Sequence, residues 1–329
     1  MAASIARRGS RRNRAPSQRH LCRLRLASAL GARLEWPRCH GGTSRSLKKL
    51  IITADDFGLD LAVNEAVETG HASGVLTAAS LMVAGAAAAD AVARARRLPR
   101  LGVGLHLVLV DGSPILPPDE IPDLVDGRGR FPSDVLAAGV RIFARPRARL
   151  QAAAEIRAQL EAFRRTGLTL DHVNAHHHFH LHPVVQRILI ELAPVFGITA
   201  VRVPFEAQRA AIAAGGRRRA RFGMAAIEAQ FALRLRRRLD VARIAHNDQI
   251  LGLADSGAMT GERVQRYLET LPDGVSEIYF HPATRPVPAY PERYSSEAEF
   301  EALIDPAVAN AIARRGIVTM AFAGLTKAV

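Results

Sequence analysis

Cysteine is missing from every position beyond 39: the two in the chain, Cys22 and Cys39, both fall in a segment that reads as a tail. A folded part without cysteine contains neither an internal disulfide nor a thiol nucleophile, so those chemistries are excluded from it. Long apolar runs are missing too. No stretch approaches the roughly 18 to 20 uninterrupted apolar residues of a membrane span, and the amino-terminal region lacks the apolar centre of a secretory signal. The expected location is cytoplasmic. Lysine is scarce, with Lys48, Lys49 and Lys327 the only three, and coding bias accounts for the preponderance of arginine as readily as selection does. Acids are scarce in the first 49 residues, where Glu35 stands against 13 lysines and arginines. That segment carries +12 of the formal +14, leaving +2 for the other 280 residues.

The basicity therefore belongs to a tail. Rich in Arg, Ser and Ala and without apolar periodicity, residues 1–47 are expected to be disordered. Composition leaves three readings open for them: a transit-like peptide, an arm for nucleic acid or anionic membrane, and an extension with no folded role. A nucleic-acid binder working through such an arm would lose its salt-dependent binding when the arm is deleted. That reading leaves the acids and histidines described next without a purpose.

What the chain has is a core and an unusual supply of histidine. Its 329 residues are 48% hydrophobic and 23% charged, enough to bury one large core or two smaller ones. From Lys49 onward, short apolar runs alternate with Ala-rich helical stretches. The strand-like runs are 49–54, 77–84, 102–110, 172–176, 199–204, 276–281 and 317–322. Helical stretches are expected up to about 73 and 97, over about 147–166 and 183–196, through an Arg-rich region at 206–243, and over 295–315. Residues 111–146, rich in Pro and Gly, form an excursion too long for an ordinary connection. Such alternation predicts a parallel α/β architecture, and the length favours a (β/α) barrel-like fold over an open doubly wound sheet.

Half of the 12 histidines lie within HVNAHHHFHLHP, residues 172–183. Other ionisable residues fall at strand ends. Asp55 and Asp56 follow the first apolar run, His106 lies in GLHLVLV, and His281 ends SEIYFHP. Each has an ordinary explanation alone: the aspartates as helix caps, His106 as an interior histidine, His281 as a strand terminus. In parallel α/β folds, however, the carboxyl ends of strands converge on one face, which makes these residues one constellation. An Asp and two His with open positions suit a catalytic divalent ion.

The motifs TADDFG, GVLTAASLMV, GVGLHL, HVNAHHHFHLHP and YFHP resemble the YdjC-like carbohydrate deacetylase family, which includes chitooligosaccharide deacetylases. The resemblance runs from about Lys48 to the carboxyl terminus. HVNAHHHFHLHP and LMVAGAAAADAVARARRLP look most like the hopanoid biosynthesis-associated HpnK branch. The resemblance implies a distorted, mostly parallel (β/α) TIM-like barrel over 48–329 and hydrolysis of the acetamido group of an N-acetylated sugar. In that branch the substrate would be a glycolipid, N-acetylglucosaminyl hopanoid. It further implies that Asp55 is the catalytic base, that Asp56, His106 and His176 hold one divalent metal ion, that His281 is the general acid, and that Arg202 contacts substrate. Asn174, His178 and His180 are expected at the substrate or around the ligands, with His177 and His182 structural. Asn174-Ala175 replaces the Asp-Ser of the chitooligosaccharide enzymes, which points away from their substrate. Two imidazoles favour zinc, although the resemblance also allows magnesium.

The Arg-rich insertion at 206–243 reads either as a solvated helical surface or as an amphipathic cover. As a cover, Phe222, Met224, Ile227, Phe231 and Leu235 would face a lipid-like substrate, and arginines, among them Arg217, Arg218, Arg219, Arg236, Arg237 and Arg238, would face anionic headgroups at the inner membrane face. A sugar isomerase or another hydrolase on a similar barrel remains the alternative enzyme. No specific nucleic-acid partner is expected, and a homo-oligomer is left open.

Overall fold

The structure is a computed structural model and describes residues 47–207, Ile212 and residues 222–326. The basic tail, Leu47 apart, lies outside the described residues, as does most of 208–221 with its run of three arginines.

Strand β1 (Lys48–Phe57) is the spine. Its sequence KKLIITADDF is buried continuously after the two lysines, the pattern of a parallel strand covered on both faces. It pairs in parallel with β2 (Ala78–Leu81) on one side and with β6 (Gly274–Phe280) on the other. With β3 (Gly102–Leu107), β4 (Val173–Ala175) and β5 (Gln249–Leu251), the sheet runs β4-β3-β2-β1-β6-β5, and the two-residue β7 (Val318–Thr319) pairs with the start of β1. Every named pairing is parallel. The helices are α1 (Leu61–Ala72), α2 (Ala88–Ala95), α3 (Val135–Ala144), α4 (Pro146–Arg165), α5 (Pro183–Phe196), α6 (Phe222–Ala242), α7 (Gly261–Glu269), α8 (Ser296–Ile304), α9 (Pro306–Arg314) and α10 (Ala323–Thr326).

The sheet curls towards a barrel because an irregular segment spans its two edges. Residues 199–204, expected as a strand, form only isolated bridges, yet they bond both ways. The Val173 N–H donates to Ala200 O and the Arg202 N–H to Val173 O, while Val201 donates to Ala245 O and Ile250 to Phe205 O. Pro204 has no N–H to contribute, and the Asn247 side chain stands in for a neighbouring strand by bonding both the N–H and the C=O of Val203. Such a backbone is satisfied without being regular.

Three further departures have local causes. The stretch 295–315 is two helices, because Pro306 starts α9 with Asp305 as its cap. The expected strand at 172–176 stops at Ala175, where a 3₁₀ helix (His176–Leu181) begins with His177 and His178 both at φ 52°. Helix α1 is capped by Asp60, whose side chain accepts from the Ala62 N–H, so Asp55 and Asp56 are not its caps.

The long excursion after β3 is fastened from beneath. Gln151, Glu155 and Gln159 stand one helical turn apart on α4, all buried. Gln159 bonds the N–H and C=O of Val108, Glu155 accepts the N–H groups of Ile115 and Leu116, and Gln151 accepts that of Asp123.

Candidate metal centre and active-site cleft

Consecutive residues of a strand normally face opposite sides, so an Asp-Asp pair should split between the site and the far face. Here it does not. The register of β1 against β2 shifts between Ala54 and Phe57, and Asp56 sits at φ 62°, a left-handed conformation that Asp tolerates better than most residues. Both carboxylates consequently line one cleft. His106 comes from β3 in register with Asn174 on β4, and His176 is the first residue beyond β4.

The Asp56 Oδ1 atom lies 3.2 Å from His106 Nε2 and 3.2 Å from His176 Nδ1, and the ligand atoms of the three residues lie within 4.8 Å of one another. Neither Asp56 Oδ1 nor His106 Nε2 has a hydrogen-bond partner, although Asp56 is 1% and His106 2% exposed. A buried carboxylate oxygen and a buried ring nitrogen without partners are costly. One carboxylate and two imidazoles converging with an open side fit a divalent ion. The His106 Nδ1 meets Asn174 Oδ1 at 2.7 Å, and a proton on Nδ1 leaves the Nε2 lone pair for a metal. Burial would raise the Asp56 carboxyl, but His176 and His106 outweigh it and hold the group well below the usual carboxylate range. Burial would likewise lower His176, and Asp56 more than reverses this, raising it.

Asp55, 2% exposed, is fixed by Arg202. The guanidinium donates NH1 to Asp55 Oδ2 (2.6 Å) and NH2 to Oδ1 (3.0 Å), while Asn174 Nδ2 also donates to Oδ1 (3.0 Å). Arg202 simultaneously donates Nε and NH2 to Glu277 Oε1 at 2.9 and 2.6 Å, and Thr53 donates its hydroxyl to the same oxygen. Burial alone would raise the Asp55 carboxyl, yet Arg202 and His106 hold it far below an ordinary aspartate. Arg202, expected on the substrate side, is wholly buried behind Asp55.

His281 follows β6 and lines the same cleft, 8% exposed, with Nδ1 unpartnered. Burial depresses its pKa more than the Asp55 and Asp56 charges raise it. Its backbone N–H donates to Glu299 of α8, a buried carboxyl pushed up to about 7 by burial despite the N–H donors around it. Tyr279, Tyr290 and Tyr294 surround the imidazole at centroid distances of 5.5, 6.0 and 5.0 Å. The cleft holds about 800 Å³. Its floor carries the acids and histidines, and Leu59, Met82, Val108 and Leu253 line it too.

The rest of the histidine cluster disperses. His178 lines the cleft, and burial beside Arg202 and His180 drives its pKa well down. His180 is fully buried, with Nε2 2.9 Å from the Arg202 carbonyl and a pKa lowered by burial to about 3. Asn174, also expected at the substrate, is fully buried between Asp55 and His106. His177 meets Asp111 at 3.3 Å at the rim, where these two and His176 form a more exposed group of potential ligands. His182 stacks on Phe179. Glu277, Glu299 and the three tyrosines escaped the sequence reading. Glu277 sits inside an apolar strand run, where a lone acid signals a buried partner, and only the structure supplies Arg202.

A family model described as YdjC-like protein matches residues 49–314. The chain is 42% identical to a carbohydrate deacetylase of Brevibacillus brevis over 159 residues, 48% of this chain and 60% of that protein. It is 37% identical to a carbohydrate deacetylase of Vibrio cholerae serotype O1 over 152 residues, 46% of this chain and 57% of that protein. The matches thus span 57–60% of those relatives' lengths. A solved structure from Enterococcus faecalis V583, described as a candidate cellobiose-phosphate cleavage protein, superposes with a TM-score of 0.66 at 25% identity, covering 85% of this chain and 99% of that one.

Proposed function

The chain belongs to the YdjC-like family, and on that premise we propose that it is a metal-dependent carbohydrate deacetylase that hydrolyses the acetamido group of an N-acetylated sugar. The observation that carries this reading is the convergence of Asp56 Oδ1, His106 Nε2 and His176 Nδ1, two of them buried without hydrogen-bond partners, beside the ionised Asp55. When bound there, a divalent ion supplies polarisation of the amide carbonyl and a lowered pKa for water at the site. Zinc suits the two imidazoles better than magnesium.

The remaining work falls to the chain. Asp55, held ionised and aimed by Arg202, accepts the proton of the attacking water at its carboxylate. A base so strongly depressed gains little from its own basicity, so its contribution lies in orientation and in a charge that persists at any working pH. His281 delivers a proton to the departing amine nitrogen. Burial favours its neutral form, so the proton it passes to the amine is the one that Asp55 has taken from the water. The tyrosines around His281 enclose the amine side of the cleft and limit water there.

The sugar is proposed to carry a lipid, as in N-acetylglucosaminyl hopanoid. The apolar lining at Leu59, Met82, Val108 and Leu253 favours a substrate with a hydrocarbon part. Peripheral contact with an anionic membrane is proposed through the corner of α3 and α4. Leu136, Phe143 and Leu150 are 73%, 60% and 73% exposed there, with Arg145 and Arg147 exposed alongside. This differs from the contact expected at 206–243. Leu235 is buried in the core, and Arg236 donates to the Asp248 carbonyl and stacks over Phe205. No helix among the described residues is long and apolar enough to cross a membrane.

An acetate-release assay on N-acetylglucosaminyl hopanoid and on chitobiose, with bound metal measured in parallel, tests the proposal. Acetate from the glycolipid, lost on chelation and restored by zinc, is expected. Turnover of a sugar without acetate release would favour the isomerase or other-hydrolase alternative, and full activity after chelation would reject the metal.

A further inference from the structure

Behind the metal centre lies a second constellation that the chemistry above does not use. Ser80 Oγ is 3.0 Å from His172 Nε2, and His172 Nδ1 is 2.9 Å from Asp171 Oδ2. A serine, a histidine and an aspartate in this order invite the reading of a hydrolytic triad. Burial excludes it, since Ser80 and His172 are 0% exposed and Asp171 4%, and no substrate reaches the hydroxyl.

The chain of contacts continues forward instead. Asn174 Nδ2 donates to Ser80 Oγ at 2.8 Å and to Asp55 Oδ1 at 3.0 Å, and Asn174 Oδ1 faces His106 Nδ1 at 2.7 Å. Hydrogen-bond direction along this path is determined from its two ends. Asp55 accepts the Arg202 guanidinium on both oxygens and Asn174 Nδ2 on one of them, so the Asn174 NH2 faces Asp55 and the amide oxygen faces His106. His106 therefore carries its proton on Nδ1. Ser80, accepting from Asn174, has its own hydrogen left to donate, and His172 Nε2 is the acceptor beside it. His172 then holds its proton on Nδ1, directed at Asp171, which also accepts the N–H groups of Phe322 and Ala323.

The backbone is shaped to seat this path. A Cβ on Gly104 would lie 2.5 Å from the His172 ring, and one on Gly102 would lie 2.7 Å from the Asp171 carboxyl. Both glycines of Gly102-Val103-Gly104 thus clear the bed on which the pair rests, and Phe322 stacks on the imidazole with ring centroids 4.3 Å apart.

We infer that Asp171, His172, Ser80 and Asn174 form one polarised hydrogen-bond path of positioning residues, which fixes the tautomer of His106 and the orientation of Asp55 from behind. The inference rests on the metal-centre reading for its purpose, though not for its geometry.

The test uses the full chain, metal-free, with ¹⁵N-labelled histidine and long-range ¹H–¹⁵N correlation to read each tautomer. In the wild type, His106 and His172 are both expected as Nδ1–H. Asn174→Asp, nearly isosteric, turns the donor to Ser80 into an acceptor. Ser80 must then donate forward, and His172 must place a proton on Nε2, two hydrogen bonds from the altered group. Adding Ser80→Ala to Asn174→Asp cuts the path and is expected to leave His172 as in the wild type. In a parallel zinc titration, Asn174→Ala is expected to weaken binding about 10- to 100-fold, as for a residue that orients a ligand imidazole. A wild-type His172 protonated on Nε2, or one that does not respond to Asn174→Asp, overturns the inference. Tautomers as expected in a chain that binds no zinc would sink the metal-centre reading and leave the path standing.

Discussion

Arg202 and Asp55 lie 147 positions apart in sequence and share two hydrogen bonds, of 2.6 and 3.0 Å, with Arg202 wholly buried beneath an aspartate that lines the cleft. The planar fork of the guanidinium fits one carboxylate with two donors while the same side chain holds Glu277. Lysine keeps the charge but not the fork. Arg202→Lys is therefore expected to lower kcat about 10- to 100-fold, the equivalent of one charge-assisted hydrogen bond, with KM near the wild-type value. A raised KM at unchanged kcat in steady-state measurements would instead mean that Arg202 touches substrate.

Asp55→Asn preserves shape and removes the proton acceptor. Acetate release is expected to fall roughly 10²- to 10⁴-fold, the range for one positioned acid or base. Bound metal should remain, because Asp56, His106 and His176 are untouched. Near-normal turnover in this variant would remove Asp55 from the role of base.

His106→Ala and His176→Ala each delete one of three proposed ligands. Elemental analysis of the purified variants should find little bound metal in either. Full occupancy in both would reject the metal centre.

Much of this arrangement is legible in the sequence. Asp55, Asp56, His106 and His281 sit at the ends of strands that apolar runs announce, and parallel α/β topology brings strand ends together. The fold class follows from the same alternation. What escaped was set by pairing across the sheet. The resemblance places Arg202 on the substrate side, and nothing in VRVP tells that Glu277, 75 positions on, waits beneath it. Asn174 and His180, expected at the substrate or around the ligands, are buried, Asn174 against His106 and Asp55 and His180 against the Arg202 carbonyl. The turn at His176 was hidden because a left-handed pair of histidines has no propensity signal. The short β5 and the irregular 199–205 segment were blurred by Asn247, whose side chain replaces a strand neighbour.

Acid stability offers a check on the buried path. Burial would raise the Asp171 carboxyl, and His172 with two backbone N–H groups outweighs it, so the group is lowered when folded. A depressed carboxyl stabilises the fold at pH above its unfolded value of about 3.9 and loses that contribution as pH falls through the folded value. In the presence of chelator, Asp171→Asn is expected to melt below the wild type at pH 7, with the gap narrowing below about pH 4. A Tm difference that stays constant down to pH 3 would contradict this.

The grip of α4 on the excursion after β3 involves main-chain groups at Val108, Ile115, Leu116 and Asp123. Anchorage and composition are thereby decoupled along that wall of the cleft. Side chains between the clamped positions can be exchanged by drift or by design while the wall keeps its shape, so new substrate preferences can arise on this scaffold without renegotiating the barrel.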